Sequence, residues 1–411
     1  MRLAIVGAGV FGIAAAVEAA TRGHQVTVYE QGDIPNPRAS STDVSKAIRR
    51  TWYVGDNDTY VELAERSALQ WEAWEKRGGR PLLHRSGALF VVSGFEPGDP
   101  MHESYRFLRA RGAAVEMLQA AEVRQRFPMF TVADDQVGVY DPWAGYLESG
   151  VAVATMAGIA AAEGAVLRDN TAVDRVAEEA GAATVDVAGR AEGYDAVLVC
   201  GGAWMGRLLP ELAGEMRVTR QEMLLLRPDQ TEPYRYPAMP VWALDPDSEG
   251  WYGFPLLAEG VVKVALDLAG ELADADIDRR GTTEFRERAL RLVADFMPTL
   301  ADATVTEGRT CLYTSSPDDD FVIDAAPGCH RLFVAGAGSG HGFKFGGSLG
   351  PLIIDAVEGR PNPLGERFRI GDRFRIGDRF GGGERGGPEG SASSAHGRGF
   401  AAPPQKGEDE Q

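Results

Sequence analysis

RLAIVGAGVFGIAAAVEAATRGHQVTVYE, residues 2–30, is the stretch that decides the fold. Arg2–Val6 reads as a short apolar strand, Gly7-Ala8-Gly9-Val10-Phe11-Gly12 as a tight turn, and the alanine-rich run ending near Gly23 as a helix. A second strand, Gln25–Tyr29, is closed by Glu30, eighteen residues after Gly12 (30 − 12). Strand, GxGxxG, helix, strand and acid, in that order, form the dinucleotide-binding fingerprint. Gly7 permits the turn, Gly9 lets a pyrophosphate approach the backbone, and Gly12 lets helix and strand pack closely. The helix N-terminus offers N–H donors and partial positive charge to phosphates, and Glu30 is the expected acceptor for adenosine ribose hydroxyls. The competing reading is a glycine-rich turn that holds no ligand.

The fingerprint alone does not separate NAD from FAD. A second glycine-rich segment does: Leu332–Ala335 reads as a strand, GAGSGHGFKFGG (336–347) follows, and Ser348–Glu358 has a helix pattern. A second strand–turn–helix so far from the first suggests a cofactor long enough to be gripped at both ends, and FAD is that long. Another unit of the same sheet is compatible with this reading.

The rest of the chain sets limits. Its 411 residues suffice for two or three domains. A net charge of −18 argues against nucleic acid or an anionic membrane surface as partner. Cys200, Cys311 and Cys329 are few, odd in number and far apart, so no disulfide framework is drawn, no metal site is expected, and a reducing cytoplasm fits. The apolar run Leu3–Ala20 is interrupted by Glu18 and three glycines, and no other stretch reaches the ~18–20 apolar residues of a membrane span. Tyr60–Arg77 reads as a surface helix with Val61, Ala64, Ala68 and Trp71 on one stripe, Val151–Glu163 as another helix, and Val197–Cys200 as a buried strand. Toward the C-terminus the hexad FRIGDR occurs at 368–373 and again at 374–379, which reads as a duplicated strand edge. Residues 381–411 read as a disordered low-complexity tail.

Several segments together carry a resemblance. The GxGxxG–Glu30 opening, SSTDVSKAIRRTWY (40–53), CGGAW (200–204), WYGFP (251–255), VVKVALD (261–267) and CLYTSSPDDDFVID followed by GSGHGFKFGG (311–347) resemble the monomeric sarcosine oxidase family. That group lies within the D-amino-acid-oxidase-like flavoproteins and also holds N-methyltryptophan oxidase, pipecolate oxidases and fructosyl-amino-acid oxidases. The resemblance runs from residue 1 to about 380. It implies an α/β fold: a Rossmann-like FAD-binding domain interleaved with an α+β substrate domain that contains a mixed sheet. The FAD-binding domain would take 1–80, 150–215 and 305–365, and the substrate domain 81–149 and 216–304. The implied activity is FAD-dependent oxidation of a secondary-amine amino acid, N-alkyl or cyclic. Hydride passes from the C–H next to nitrogen to flavin N5, giving an imine and hydrogen peroxide. Small substrate and O2 are the expected partners, and a monomer is expected.

The same resemblance assigns residues. Gly7, Gly9, Gly12, Glu30, Ser40, Ser41, Lys46, Val173, Gly201, Gly340, Gly342, Phe343 and Lys344 would line FAD. Cys311 would bond covalently to the flavin 8α-methyl; the alternative is a buried free thiol, which suits Cys200 and Cys329 better. Arg49 and Lys344 match the carboxylate-binding pair, with Arg49 turned inward and Arg50 left as the surface charge. Lys263 matches the oxygen-activating lysine, the alternative being an exposed lysine on a half-solvated strand. Tyr252 borders the substrate.

The chain also departs from the sarcosine oxidase pattern. Lys46 stands where that enzyme has Arg, in a D-x-x-K-x-x-R spacing more like the fructosyl-amino-acid and pipecolate branches. Asp267 replaces a His, and Trp242 replaces a smaller side chain. An acid near the amine would suit a cationic substrate, and the acids of PDDDF are further candidates for that end. Aromatics around Trp242 and Trp251 are expected to form a lid. A fructosyl-amino-acid oxidase, a non-catalytic flavoprotein, a flavin dehydrogenase feeding a partner protein, and a biosynthetic enzyme desaturating a cyclic amino acid are the rival readings.

Overall fold

In the computed structural model, residues 1–53, 58–179, 181–268 and 270–374 are described. The strand Arg2–Val6 pairs in parallel with Gln25–Tyr29 on one side and Ala196–Val199 on the other. Leu332–Gly336 and Val166–Arg168 extend the parallel array, and Val322–Ala325 adds an antiparallel edge, making six strands. Strands buried on both faces need continuous apolar sequence, and Leu3, Ala4, Ile5 and Val197 to Val199 are all essentially inaccessible. The helices Val10–Thr21, Asp58–Gly78, Ser149–Ala162 and Gly346–Glu358 pack on one side of this sheet. A three-stranded antiparallel meander over residues 175–194 covers part of the other.

A second sheet has eight strands, in the order Thr304–Ser315, Arg217–Arg227, Val262–Leu266, Trp251–Phe254, Val241–Leu244, Ala88–Val92, Val137–Asp141 and Glu116–Gln119. All neighbours are antiparallel except Val241–Leu244 with Ala88–Val92, so the sheet is mixed. Its period-two pattern serves two packed faces. Val262, Val264, Trp242 and Trp251 meet the helix Thr283–Phe296, whose first turn is capped by the Thr282 hydroxyl accepting from Phe285 N at 3.2 Å. Val241, Ala243 and Phe254 face the opposite way, toward Phe90, Tyr146 and Leu257. The α/β class with a mixed sheet is therefore as the sequence implies. Among the described residues no helix is long and apolar enough to cross a membrane.

The first FRIGDR copy is not a strand edge. Residues 366–368 and 371–373 form two short 3₁₀ turns, with Gly371 at φ +39 between alternating apolar and charged positions. Phe368 is fully buried against Phe321 and Tyr60, with ring centroids 5.1 and 6.0 Å away. Arg367 pairs with Asp320 at 2.8 Å and Arg373 with Asp318 at 2.7 Å. The hexad thus straps onto the 318–321 loop by the Phe368 ring and the Arg373 ion pair, and Arg367, the residue before it, adds a second ion pair. Most of its second copy, and the low-complexity segment 381–411, lie outside the described residues.

Replacing Phe368 by Ala should cost about 3–5 kcal/mol, the range for a fully buried ring. Urea unfolding followed by circular dichroism reads this. A loss below about 1 kcal/mol would return the hexad to the role of a peripheral appendage.

Candidate active site

The turn after the first strand is built by steric demand. Gly7 has φ +105, and a Cβ there would lie 2.4 Å from the Cys200 carbonyl oxygen; one at Gly12 would lie 1.9 Å from Gly7 O. Only glycine lets strand, helix and the Cys200 loop approach so closely. The helix Val10–Thr21 consequently aims its N-terminus at a cleft of about 340 Å³. Ser41 Oγ accepts from Val10 N at 3.0 Å, so Ser41 closes the helix entrance. Glu30 is buried and held from three sides: by Ala8 N at 2.9 Å, Asn36 Nδ2 at 2.8 Å and Gly32 N at 3.2 Å. A fixed carboxylate at the end of the second strand is an acceptor waiting for a diol.

The cleft is lined by Gly7, Gly9, Glu30, Ser40, Ser41, Lys46, Val173, Gly201, Gly340, Gly342 and Phe343. It runs from Glu30 past the helix N-terminus to the second glycine-rich turn, more than a single nucleotide requires. At that far end it meets a smaller chamber of about 80 Å³. Lys46, Tyr313, Gly340 and Phe343 border both spaces. The donor set fits a dinucleotide with a third ring system: backbone N–H groups and a helix N-terminus for phosphates, and a glycine-walled end for a flat ring.

A family model described as DAO, FAD dependent oxidoreductase, matches residues 2–356. The chain belongs to this family of FAD-dependent oxidoreductases. It is 28% identical over 370 residues to N-methyl-L-tryptophan oxidase of Yersinia pestis (strain Pestoides F), covering 88% of this chain and 96% of that one. Its fold superposes on fructosamine oxidase (Amadoriase II) of Aspergillus fumigatus with a TM-score of 0.78 at 23% identity, covering 90% of each chain. It also superposes on L-proline dehydrogenase of P. horikoshii, TM-score 0.79 at 18% identity, over 90% of this chain and 96% of that one. The cofactor of this DAO-family enzyme is FAD, and the cleft described above is the space that suits it.

The chamber wall carries Arg49, Lys344, Tyr252, Asp267 and Trp242, together with Lys46. Arg49 and Lys344 are both buried, and both face Tyr53. The guanidinium carbon lies 4.8 Å from the Tyr53 ring centroid, and Lys344 Nζ lies 3.1 Å from its hydroxyl and 2.6 Å from His341 O. Burial pushes the Tyr252 and Tyr313 hydroxyls well above the ordinary tyrosine value, so both stay protonated.

Three sequence expectations are corrected. Arg50 is no surface charge: it is as buried as Arg49, pairing with the inaccessible Asp141 at 3.1 Å and with Glu65 at 2.7 Å. Extended neighbours point opposite ways, but here both directions lead inward. Trp242 and Trp251 both border the chamber, but as part of its wall and not as a lid. Their rings belong to the apolar cluster beneath the eight-stranded sheet, Trp242 lying 5.3 Å from the Phe296 ring and Trp251 5.8 Å from that of Phe285. The acids of PDDDF do not face the chamber; Asp318 and Asp320 are taken by Arg373 and Arg367.

Lys263 is fully buried, so the exposed-lysine alternative falls. It borders neither cavity; its ammonium donates to Asp43 Oδ2 and Ser45 O, each at 2.9 Å. Lys46 Nζ reaches the same Asp43 oxygen at 2.7 Å. Asp43 Oδ1 accepts from Ser45 N at 3.0 Å and Ser149 Oγ at 3.1 Å. Burial raises Asp43, but Lys263 and Lys46 outweigh it and hold the carboxyl well below the usual range. Asp43 is the site residue that the sequence reading passed over. Its only signal was the D-x-x-K spacing. Cys311 is buried on the strand Thr304–Ser315, 3.8 Å from Leu312 O, while its neighbours Leu312, Tyr313 and Thr314 line the cleft. Cys200 is buried at the strand end, where burial raises its thiol far above the ordinary value and favours the protonated form.

Proposed function

We propose that the protein is an oxidase of a small secondary-amine amino acid, N-alkylated or cyclic, that forms an imine and hydrogen peroxide and carries its flavin on Cys311. The observation that carries this reading is the meeting of two spaces: the cofactor cleft and a chamber whose wall holds Arg49 and Lys344. FAD, when bound, accepts hydride from the carbon next to nitrogen and delivers the electrons to O2.

The side chains of the chain bind, orient and supply charge. A guanidinium has five donors and an ammonium three, so Arg49 and Lys344 can receive an α-carboxylate while keeping the contacts already named. The planar fork of Arg49 fixes the direction of the carboxylate; Lys344 adds a point charge. Asp267, at the chamber edge, is available to an amine or a cationic side chain. N-methyl-L-tryptophan, the compound in the relative's name, has both a secondary amine and an α-carboxylate, which supports the same substrate class here. Because a dehydrogenase shares the fold, oxygen as acceptor rests on Lys46 and Lys263. Their charge would favour the anion that develops as O2 is reduced.

Attachment to Cys311 predicts that acid-precipitated protein stays yellow and yields a Cys311 peptide heavier by the mass of FAD. Cys311→Ala should release all flavin on denaturation. Colourless precipitate from the aerobically matured parent would remove the covalent bond from this account. For the anion site, acetate or a heterocyclic carboxylate should perturb the flavin spectrum. Arg49→Ala or Lys344→Ala should each weaken that binding by about 1.5–3 kcal/mol, the range for a hydrogen bond to a charged group. Unchanged affinity in both variants would move the carboxylate elsewhere.

A further inference from the structure

Lysine is scarce in this chain and concentrated at the site. Lys46, Lys76, Lys263, Lys344 and Lys406 are the only five, against 37 arginines (42 − 5), which leaves every lysine signal separately observable. Two of the five converge on Asp43 Oδ2, at 2.7 Å for Lys46 and 2.9 Å for Lys263. Two ammonium groups against one carboxylate leave one net positive charge. Lys263 is inaccessible and borders neither cavity, whereas Lys46 borders both, at their junction.

We propose that Asp43, Lys46 and Lys263 work as one charged unit in which Asp43 is the positioning residue and Lys46, rather than Lys263, carries the unit's charge to the junction of cleft and chamber. The proposal depends on the function read above only for what occupies that junction. The ammonium of Lys263 is fixed by two acceptors on the 43–45 segment and lies 4.8 Å over the Phe254 ring. The charged or titratable groups facing the pair are Asp43 on that segment, Cys311 on the strand Thr304–Ser315 and, toward Lys46, Tyr252 on the strand Trp251–Phe254. Burial pushes Lys263 down to about 8; Asp43 works to raise it and Lys46 to lower it further. Burial likewise opposes the charge on Lys46, but Asp43 foremost lifts it above the ordinary lysine value. Lys46 therefore stays charged at neutral pH, while the protonated fraction of Lys263 falls as pH rises through about 8.

Opposite signs make the arrangement testable without turnover. Lysine labelled with ¹³C at Cε gives at most five signals in the holoenzyme, and Lys263→Met assigns one of them. The Lys263 midpoint should lie near 8 in the parent. It should fall by about one unit or more in Asp43→Asn and rise in Lys46→Met, since a charge within ~4–6 Å shifts a pKa by that much. Asp43→Glu should restore the parent midpoint. If Asp43→Asn fails to fold, Lys46→Met still decides: an unchanged or lowered midpoint overturns the coupling, as does a parent Lys263 titrating at the ordinary ~10.4. The flavin midpoint potential decides which lysine presents the charge. It should fall more in Lys46→Met than in Lys263→Met, and the reverse order overturns that assignment. Neither reading requires amine oxidation, so loss of the proposed activity and failure of this inference remain distinguishable.

Discussion

A single carboxylate oxygen, Oδ2 of Asp43, sits between the fully buried ammonium of Lys263 and the half-buried one of Lys46, and the geometry of the site depends on it. Removing two like charges from water is expensive, and an effective penalty of several kcal/mol per ion must be met locally. Asp43 meets it with charge, and the Ser45 carbonyl adds an acceptor. The same residue ties together parts of the chain far apart in sequence. Its Oδ1 receives Ser149 at the start of a helix, and its Oδ2 receives Lys263, 220 residues away on the eight-stranded sheet. The short strand Lys46–Ile48, paired with Gly145–Leu147, then delivers Arg49 to the chamber wall.

From that anchor the cationic residues divide their tasks. Arg50 spends its charge on Asp141 and Glu65 and holds the second half of the segment in place. Arg49 and Lys344 gather around Tyr53, beside the chamber that adjoins the cleft. The overall charge of −18 is no obstacle to an anionic substrate, because the field inside the chamber is set chiefly by the few charges nearest to it.

How much was legible in the sequence follows from the range of each interaction. The Gly7–Gly12 turn and Glu30 were readable because steric demand acts within one strand–turn–helix, and their spacing is written locally. Alternation along Val262–Leu266 puts Lys263 on the face opposite Val262 and Val264, which pack against the helix side. Alternation could not say what lies beyond each face. Trp242 sits one residue from Val241 and points the other way, its ring packed in the cluster with Phe296 while the residue still borders the chamber. Asp43 was missed because its role depends on the approach of a lysine from another sheet, which no local spacing encodes. The FRIGDR hexad looks like a strand for the same local reason. The long-range ion pair from Arg373 to Asp318, that of the preceding Arg367 to Asp320, and the turn at Gly371 override its pattern.

The fold is shared by oxidases and a dehydrogenase, so the substrate class rests on the chamber and not on the architecture. The central claim is that this chamber selects an amine carrying a carboxylate. Anaerobic stopped-flow bleaching of the flavin tests it most directly, because it reports reduction without involving oxygen. An N-methyl amino acid and the amine left by its decarboxylation form the decisive pair. Loss of a charge-assisted contact predicts roughly 10- to 150-fold slower bleaching by the decarboxylated amine at equal subsaturating concentration. Equal rates would contradict the account.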